Sequence, residues 1–329
     1  MGKPILIASS SYDVDTHAPV CDALVRRGYP VVVYQTDQLM SEAETFCLSV
    51  TADGRLAMSY NDSPMGPDDV AAAWYWKVTS VRVPDADVNA AKQLSFVNEM
   101  SQLQHSIWWL YPEEIWLNSP SKTFAANHKL GQLLAAKRVG FTIPETVVSN
   151  QWQSIERLLM EHHDEIIVKM SRGVIADQNV IRGMYTTRLD RTGVDELRDR
   201  TVPFPGIYQP FVPKAREWRI TVVGNRAFSV AIYTRDDAKD DWRKKQLIPD
   251  AVTVRAEQPP AGVSEKCFAF LEALSLKYGA FDLVETPDGE IVFLECNPTG
   301  MYMWLEDGLG LAIADAIADE LVAIASRRG

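Results

Sequence analysis

Two carboxylates and a carboxamide, Asp282, Glu295 and Asn297, fall within the stretch Lys277 to Gly300, KYGAFDLVETPDGEIVFLECNPTG. Two apolar runs, Gly279 to Thr286 and Glu290 to Glu295, flank Pro-Asp-Gly, and Asp288-Gly289 can supply the positive φ of a tight hairpin turn. With Asp288 and Gly289 as a two-residue loop, Asp282 lies directly opposite Glu295. Strand alternation then puts Asn297 on the face of Glu295. Three oxygen donors converging in this way suit a hard divalent cation, and Mg²⁺ is held by one or two carboxylates together with substrate phosphates. Isolated acids on an edge hairpin are ordinarily solvated, but both of these sit inside apolar runs (AF-D-LV and IVFL-E-CN), where an unpaired charge is costly. A bound metal would compensate them.

Other residues suit a nucleotide. Ile166 to Met170 (IIVKM) reads as a buried strand that carries Lys169 into a Ser171-Arg172-Gly173 loop. An ammonium followed by a glycine loop with free N–H donors can grip phosphates, although GxxxxGK[ST] is absent. Ser119-Pro120-Ser121 caps a helix expected to run from Lys122 to Gly140, with Lys129 on it; a helix lysine ordinarily faces solvent. Ile207 to Pro213 (IYQPFVP) is a strand closed by prolines, and the backbone around Gln209, Phe211 and Val212 could read an adenine edge in a hinge. In the next strand, which a Gly224-Asn225 hairpin closes, alternation places Glu217 and Arg219 on one face. Arg235 to Lys245 (RDDAKDDWRKK), which contains Arg243, reads as a solvated charged loop.

The elements that must hold these groups belong to an α/β chain. At 329 residues and 47% hydrophobic composition it can bury more than one core. Pro4 to Ala8, Ala18 to Arg27 and Val31 to Tyr34 make a βαβ start without GxGxxG, and a hairpin follows around Asp53-Gly54. Trp74-Tyr75-Trp76 reads as core or interface packing, and with Trp108, Trp109, Tyr111 and Trp116 it could back a homodimer or peptide surface. A helix spans Val88 to Trp109, a strand Ile115 to Asn118, a helix Val263 to Tyr278 and a closing helix Leu309 to Arg327. Boundaries near 118 and 207 divide the chain into 1–117, 118–207 and 208–329.

Composition excludes several classes. A net charge of −11 argues against nucleic-acid binding, and no run of eighteen apolar residues exists to span a membrane. The N-terminus lacks the features of a signal peptide, so the cytoplasm is expected. Cys21, Cys47, Cys267 and Cys296 show no CxxC spacing, which points to neither disulfides nor zinc, and His162-His163 reads as a solvated helix end.

Taken in order, the helix lysine, the strand lysine before a glycine loop, the QPFV hinge, the E-x-R strand and the D…E-x-N hairpin resemble the ATP-grasp superfamily. NSPSKTFAANHKLGQLLAAKRVGFTIPET, EWRITVVG, Asp241-Trp242-Arg243 and FLECNPTGMYMWLE resemble the graspetide synthetases, microviridin-type ligases that macrocyclise ribosomal precursor peptides. The resemblance implies an N-terminal βαβ domain followed by two α+β halves that clamp ATP. It implies Lys129 and Lys169 on the ATP phosphates, the Gln209 to Val212 backbone on adenine, and Mg²⁺ on Asp282, Glu295 and Asn297. The expected reaction activates Asp or Glu side chains as acyl-phosphates and joins them to Ser/Thr or Lys side chains. Arg219 would face the carboxylate, Glu217 would orient Arg219, and Arg243 is a further candidate for that pocket. Asp195, Glu196 and Asp199 could pair with a cationic leader peptide. Two alternatives remain: an ATP-grasp ligase of free amino acids or protein C-termini, and a nucleotide-binding regulator without activity.

Overall fold

Strand β1 (Ile5–Ser9) is buried throughout, and its continuous apolar run ILIAS is that of a central parallel strand covered on both faces. It pairs in parallel with β2 (Val31–Gln35) on one side and β6 (Ala72–Tyr75) on the other, and helix α1 (Val14–Arg26) makes the first crossover. The strand order β2-β1-β6 reverses at β1, so the loops after β1 and β6 flank a crevice at the carboxyl ends of the strands. A small antiparallel sheet of β3 (Phe46–Val50), β4 (Leu56–Tyr60) and β5 (Ser63–Pro64) and the helix α2 (Ala90–Trp109) complete this part. The computed structural model describes residues 2–39, 41, 44–78, 90–163, 165–169, 174–177, 180–183, 187–198, 205–234 and 251–328.

Residues Ile115 to Asn118 do not form the expected strand. Glu113–Ile115 is a 3-10 turn, after which the chain makes a single parallel bridge from Trp116 to Ala73. Asn118 ends the segment with its carboxamide buried. It donates to the carbonyls of Tyr278 (2.8 Å) and Pro298 (3.2 Å) and accepts from the N–H groups of Lys277 (2.8 Å) and Tyr278 (3.1 Å). Asn118→Ala would strand these groups, and we expect a loss of about 2–3 kcal/mol in denaturant unfolding. An unchanged midpoint would show that water replaces the carboxamide at no cost.

Pro120 to Arg138 is not one helix but two, α3 (Pro120–Ala126) and α4 (Lys129–Arg138). The Asn127 N–H turns back to Thr123 and Phe124, and His128 adopts extended backbone, so Lys129 starts a helix instead of lying inside one. The central piece follows: β7 (Val147–Ser149), α5 (Trp152–Glu161), β8 (Ile166–Lys169), the ribbon β9 (Val174–Asp177) and β10 (Val180–Gly183), β11 (Thr187–Leu189), α6 (Arg191–Arg198) and β12 (Gly206–Pro210). Its antiparallel sheet, ordered β11-β8-β12-β7, has a core of its own built from Ile155, Leu158, Leu159, Ile166, Val194 and Tyr208.

The last third builds an antiparallel sheet ordered β15-β14-β13-β16-β17. Its strands are β13 (Arg216–Val223), β14 (Arg226–Thr234), β15 (Val252–Ala256), β16 (Tyr278–Glu285) and β17 (Ile291–Asn297), with helices α7 (Val263–Ala273), α8 (Met303–Leu309) and α9 (Ile313–Ser326). Helix α7 ends before Tyr278 because Ser275 takes a left-handed conformation (φ +56°) and Leu276 N–H returns to the Leu271 carbonyl. The expected closing helix, Leu309 to Arg327, starts only at Ile313 as α9, because Leu309 ends the short helix α8 and Gly310 (φ +67°) stops it.

One face of this sheet presents Trp218, Ile220, Val222, Phe281, Leu283, Phe293 and Cys296 to α4 and α7. The opposite face changes character along its length. Val223 and Tyr278 at one end, and Val230 and Ile232 along the neighbouring β14, share a core with α9, α1 and the N-terminal sheet, so the two ends of the chain fold into one body. At the other end of the same face stand Glu217, Arg219, Asp282, Glu295 and Asn297.

Candidate active site

The hairpin β16–β17 pairs Asp282 with Glu295 as expected, but by a different route. Its loop has three residues, not two: Thr286 N–H bonds to the Glu290 carbonyl at 2.9 Å, Gly289 N–H to the Thr286 carbonyl, and only Gly289 has positive φ (+86°). The Thr286 hydroxyl fixes the turn by donating to Asp288 and accepting from Glu290 N–H. Thr51 to Arg55 makes the same Thr-x-Asp-Gly turn between β3 and β4. A three-residue loop alone would offset the pairing by one; an irregularity between Asp282 and Leu283, opposite Leu294, restores it. This bulge allows Phe293 to enter the core beside Phe141, Phe270 and Phe281 while Glu295 faces the other way. In a plain two-residue hairpin Phe293 would share the face of Glu295, and about 2 kcal/mol of apolar burial would be lost.

The Asn297 carboxamide nitrogen lies 3.3 Å from Glu295 Oε1 and 3.5 Å from Asp282 Oδ2, so the three side chains do converge. All three donors are hard oxygen ligands, Asp282 and Glu295 are mostly buried (15% and 22% exposed), and rotating the Asn297 amide presents its Oδ1. These residues fit Mg²⁺.

Two cations meet the same carboxylates. Arg219, 7% exposed, donates from Nη1 to Asp282 Oδ1 (2.7 Å) and from Nη2 to the Met301 carbonyl (3.0 Å). Burial opposes its charge, but the attraction and hydrogen bond of Asp282 outweigh that and hold its pKa above the ordinary arginine value. Gly300 makes room for this arrangement, since a Cβ there would collide with Ala280 and press on Arg219 Nη2. Lys129 reaches Glu295 Oε2 from the first turn of α4 (2.5 Å). Three residues on, Gln132 locks α4 to the neighbouring backbone, donating to the carbonyls of Ala126 and Cys296 and accepting from Cys296 N–H. This clamp and the α3–α4 break aim Lys129. Nothing in the local sequence announces them.

Glu217 shares the face of Arg219, but its carboxylate accepts from Lys214 Nζ (2.6 Å), with both side chains largely buried. Asp282, not Glu217, is the carboxylate on Arg219. Lys214 was not singled out by the sequence; a lysine just past the proline of IYQPFVP and three residues before a strand glutamate is a faint signal at best.

Lys169 ends β8, backbone-paired with Ile207. Ser171, Gly173 and Arg243 lie outside the described residues, as does Asp199; Asp195 is exposed on α6. In the segment expected to be a hinge, the Gln209 side chain is buried and donates to Thr146 Oγ1 (2.9 Å), the Phe211 N–H bonds to the Glu165 carbonyl, and Arg188 stacks over the Phe211 ring at 4.0 Å. Val212, half-buried, is the next residue along. Trp74 and Trp76 are core residues, as one of the two readings of that cluster had it.

No protein-family profile matches the sequence, and no curated protein matches it. Solved structures do. Macrocyclase MdnC from Microcystis aeruginosa MRC, bound with precursor peptide MdnA, is 26% identical with a TM-score of 0.84, covering 97% of this chain and 99% of that one. A RiPP-associated ATP-grasp ligase from Chryseobacterium gregarium, in complex with ADP and a leader and core peptide, is 24% identical with a TM-score of 0.85, covering 98% and 97%. ATP-grasp ligase PsnB, complexed with a minimal precursor, Mg and ADP, is 21% identical with a TM-score of 0.77, covering 98% and 97%. A sheet that carries convergent oxygen donors, a second sheet joined to it through a proline-bounded connection, and end-to-end similarity to these proteins lead to one conclusion: the chain has the ATP-grasp fold.

Proposed function

We propose that this chain is an ATP-dependent ligase that macrocyclises a ribosomal precursor peptide, joining Asp or Glu side chains to Ser/Thr hydroxyls or Lys amines. The observation that carries this reading is the cluster of Arg219, Lys129, Asp282, Glu295 and Asn297 at one end of one sheet face, in a chain that matches MdnC across 97% of its length.

The chemistry follows from what a carboxylate lacks, which is a leaving group. A carboxylate oxygen of the peptide attacks the γ-phosphorus of ATP, the bond to the β,γ-bridging oxygen breaks, and ADP departs. The acceptor oxygen or nitrogen then attacks the acyl carbon, loses its proton, and inorganic phosphate leaves. Arg219 is a permanently charged planar fork suited to the reacting carboxylate, and the low exposure of its surroundings strengthens that attraction. Lys129, Lys169 and the Ser171 to Gly173 loop would hold the nucleotide phosphates, and Gln209, Phe211 and Val212 the adenine. Mg²⁺ on Asp282, Glu295 and Asn297 would supply neutralising charge at the transferring phosphoryl group. Glu217, paired with Lys214, would shape the pocket wall, and Arg243 would be a second guanidinium for the peptide.

The same reading divides the chain at 1–117, 118–207 and 208–329 and places it in the cytoplasm; no described helix is long and apolar enough to cross a membrane. A leader-bearing peptide is the partner, and a homodimer is the assembly, for which exposed Leu94, Phe96 and Trp109 on α2 offer apolar surface. The deciding test is the intact mass of a candidate precursor peptide, ideally one encoded beside the gene, after incubation with the protein and Mg-ATP. Loss of one water per bond, dependent on ATP, is the expected result. No mass change, with ADP released on adding free amino acids, would move the function to a small-substrate ligase.

A further inference from the structure

Lys77 lies two residues past the end of β6, at the carboxyl edge of the N-terminal sheet. Strand β6 ends at Tyr75; Trp76 N–H then bonds to the Ala8 carbonyl (2.8 Å) and its ring is fully buried. That ring is wedged edge-on between Tyr278 (5.5 Å between centroids) and Tyr302 (5.8 Å). Tyr278 donates from its hydroxyl to the Gly300 carbonyl, and the next carbonyl, Met301, is the acceptor of Arg219 Nη2. The residue after Trp76 and the guanidinium of Arg219 therefore flank one short turn, Gly300 to Tyr302. Lys77 is also held in left-handed backbone (φ +46°), a conformation that costs a non-glycine residue about 1 kcal/mol. Lys77 is half-buried, and among the described residues no carboxylate forms an ion pair with it. Burial lowers its pKa; Asp13, on the loop after β1, counters that, and the charge of Arg219 adds to it.

Two cations from different parts of the chain thus flank the Gly300–Tyr302 turn, with Asp282 already committed to one of them. We propose that Lys77 and Arg219 form a two-cation clamp for the acyl group, binding the substrate carboxylate and then the acyl-phosphate made from it. This rests on the ligase reading and adds a substrate-binding residue from the N-terminal sheet.

Acetyl phosphate, the smallest acyl-phosphate, is the probe. Its binding to the full-length protein with Mg-ADP present is followed by calorimetry for wild type, Lys77→Met and Lys77→Arg. The clamp predicts saturable binding to wild type, weakened about tenfold or more by Lys77→Met and restored to within about threefold by Lys77→Arg. ADP affinity and thermal midpoint stay unchanged in both variants. No saturable binding to wild type, wild-type affinity in Lys77→Met, or parallel loss of ADP binding and thermal stability each overturns the clamp. Failure of the ligase reading has a different signature. Lys77-dependent acetyl phosphate binding without a dehydrated precursor peptide would keep the clamp and reject macrocyclisation, whereas equal peptide turnover by wild type and Lys77→Met would do the reverse.

Discussion

Arg219→Ala is expected to lower ring formation by about a thousandfold while nucleotide affinity shifts by less than about threefold. The guanidinium is 7% exposed and bound to Asp282 and the Met301 carbonyl, so it is already oriented before substrate arrives. Alanine removes that fixed charge from the point where negative charge develops on the acyl oxygen. It also leaves Asp282 without its cation, at a cost of about 3 kcal/mol in stability. Thermal midpoints must therefore accompany the kinetics. Arg219→Lys separates the two effects, because it restores charge to Asp282 but not the planar fork; a deficit of about a hundredfold should remain. Wild-type turnover by Arg219→Ala would remove this residue from the reaction.

The second large effect concerns the metal. Glu295→Gln and Asp282→Asn each delete one anionic donor, and half-maximal turnover should then require at least about tenfold more Mg²⁺. Glu295→Gln is the cleaner of the two, since Asp282→Asn also releases Arg219. Lys129 complicates Glu295→Gln less, because it is partly exposed and can reach water. Turnover is measured against Mg²⁺ concentration at saturating ATP. Full activity with an unshifted Mg²⁺ dependence in both variants would show that these acids are not metal ligands.

The hairpin that carries these acids was the most legible part of the sequence, because turn residues and alternation are local. Even so, the bulge at Leu294 is invisible there: IVFLECN reads as an uninterrupted strand, and only the demand of the core for Phe293 reveals the extra residue. The break between α3 and α4 was hidden for a similar reason. Asn127-His128 contains neither proline nor glycine, and the Gln132 clamp that sets α4 on β17 joins residues 164 apart. The Arg219–Asp282 pair could not be read either. Alternation assigns Arg219 to a face, but only the long-range pairing of β13 with β16 brings it opposite Asp282. Lys214, Lys77 and the Met301 carbonyl share that origin: they matter through what the sheets bring to them.

The described residues trace two short crossings by which the chain enters and leaves the central sheet. Going in, Thr142 bridges to Val292 and bonds to Glu290, and Thr146 is already tied to Gln209; Pro144-Glu145 lies between. Coming out, Phe211 is tied to Glu165 and Ala215 N–H to the Glu285 carbonyl, with Val212-Pro213 between. Both anchors are on β16 and β17 close to their connecting turn, so the piece that bears Lys169 is suspended from the hairpin that bears the oxygen donors. Spin labels on β8 and β17 should therefore report a distance change on adding Mg-ADP while a pair on α1 and α9 stays fixed. On this arrangement the hairpin would be both fulcrum and floor: a swing of the central sheet would alter the gap above Asp282 and Glu295 without shifting these acids relative to Arg219.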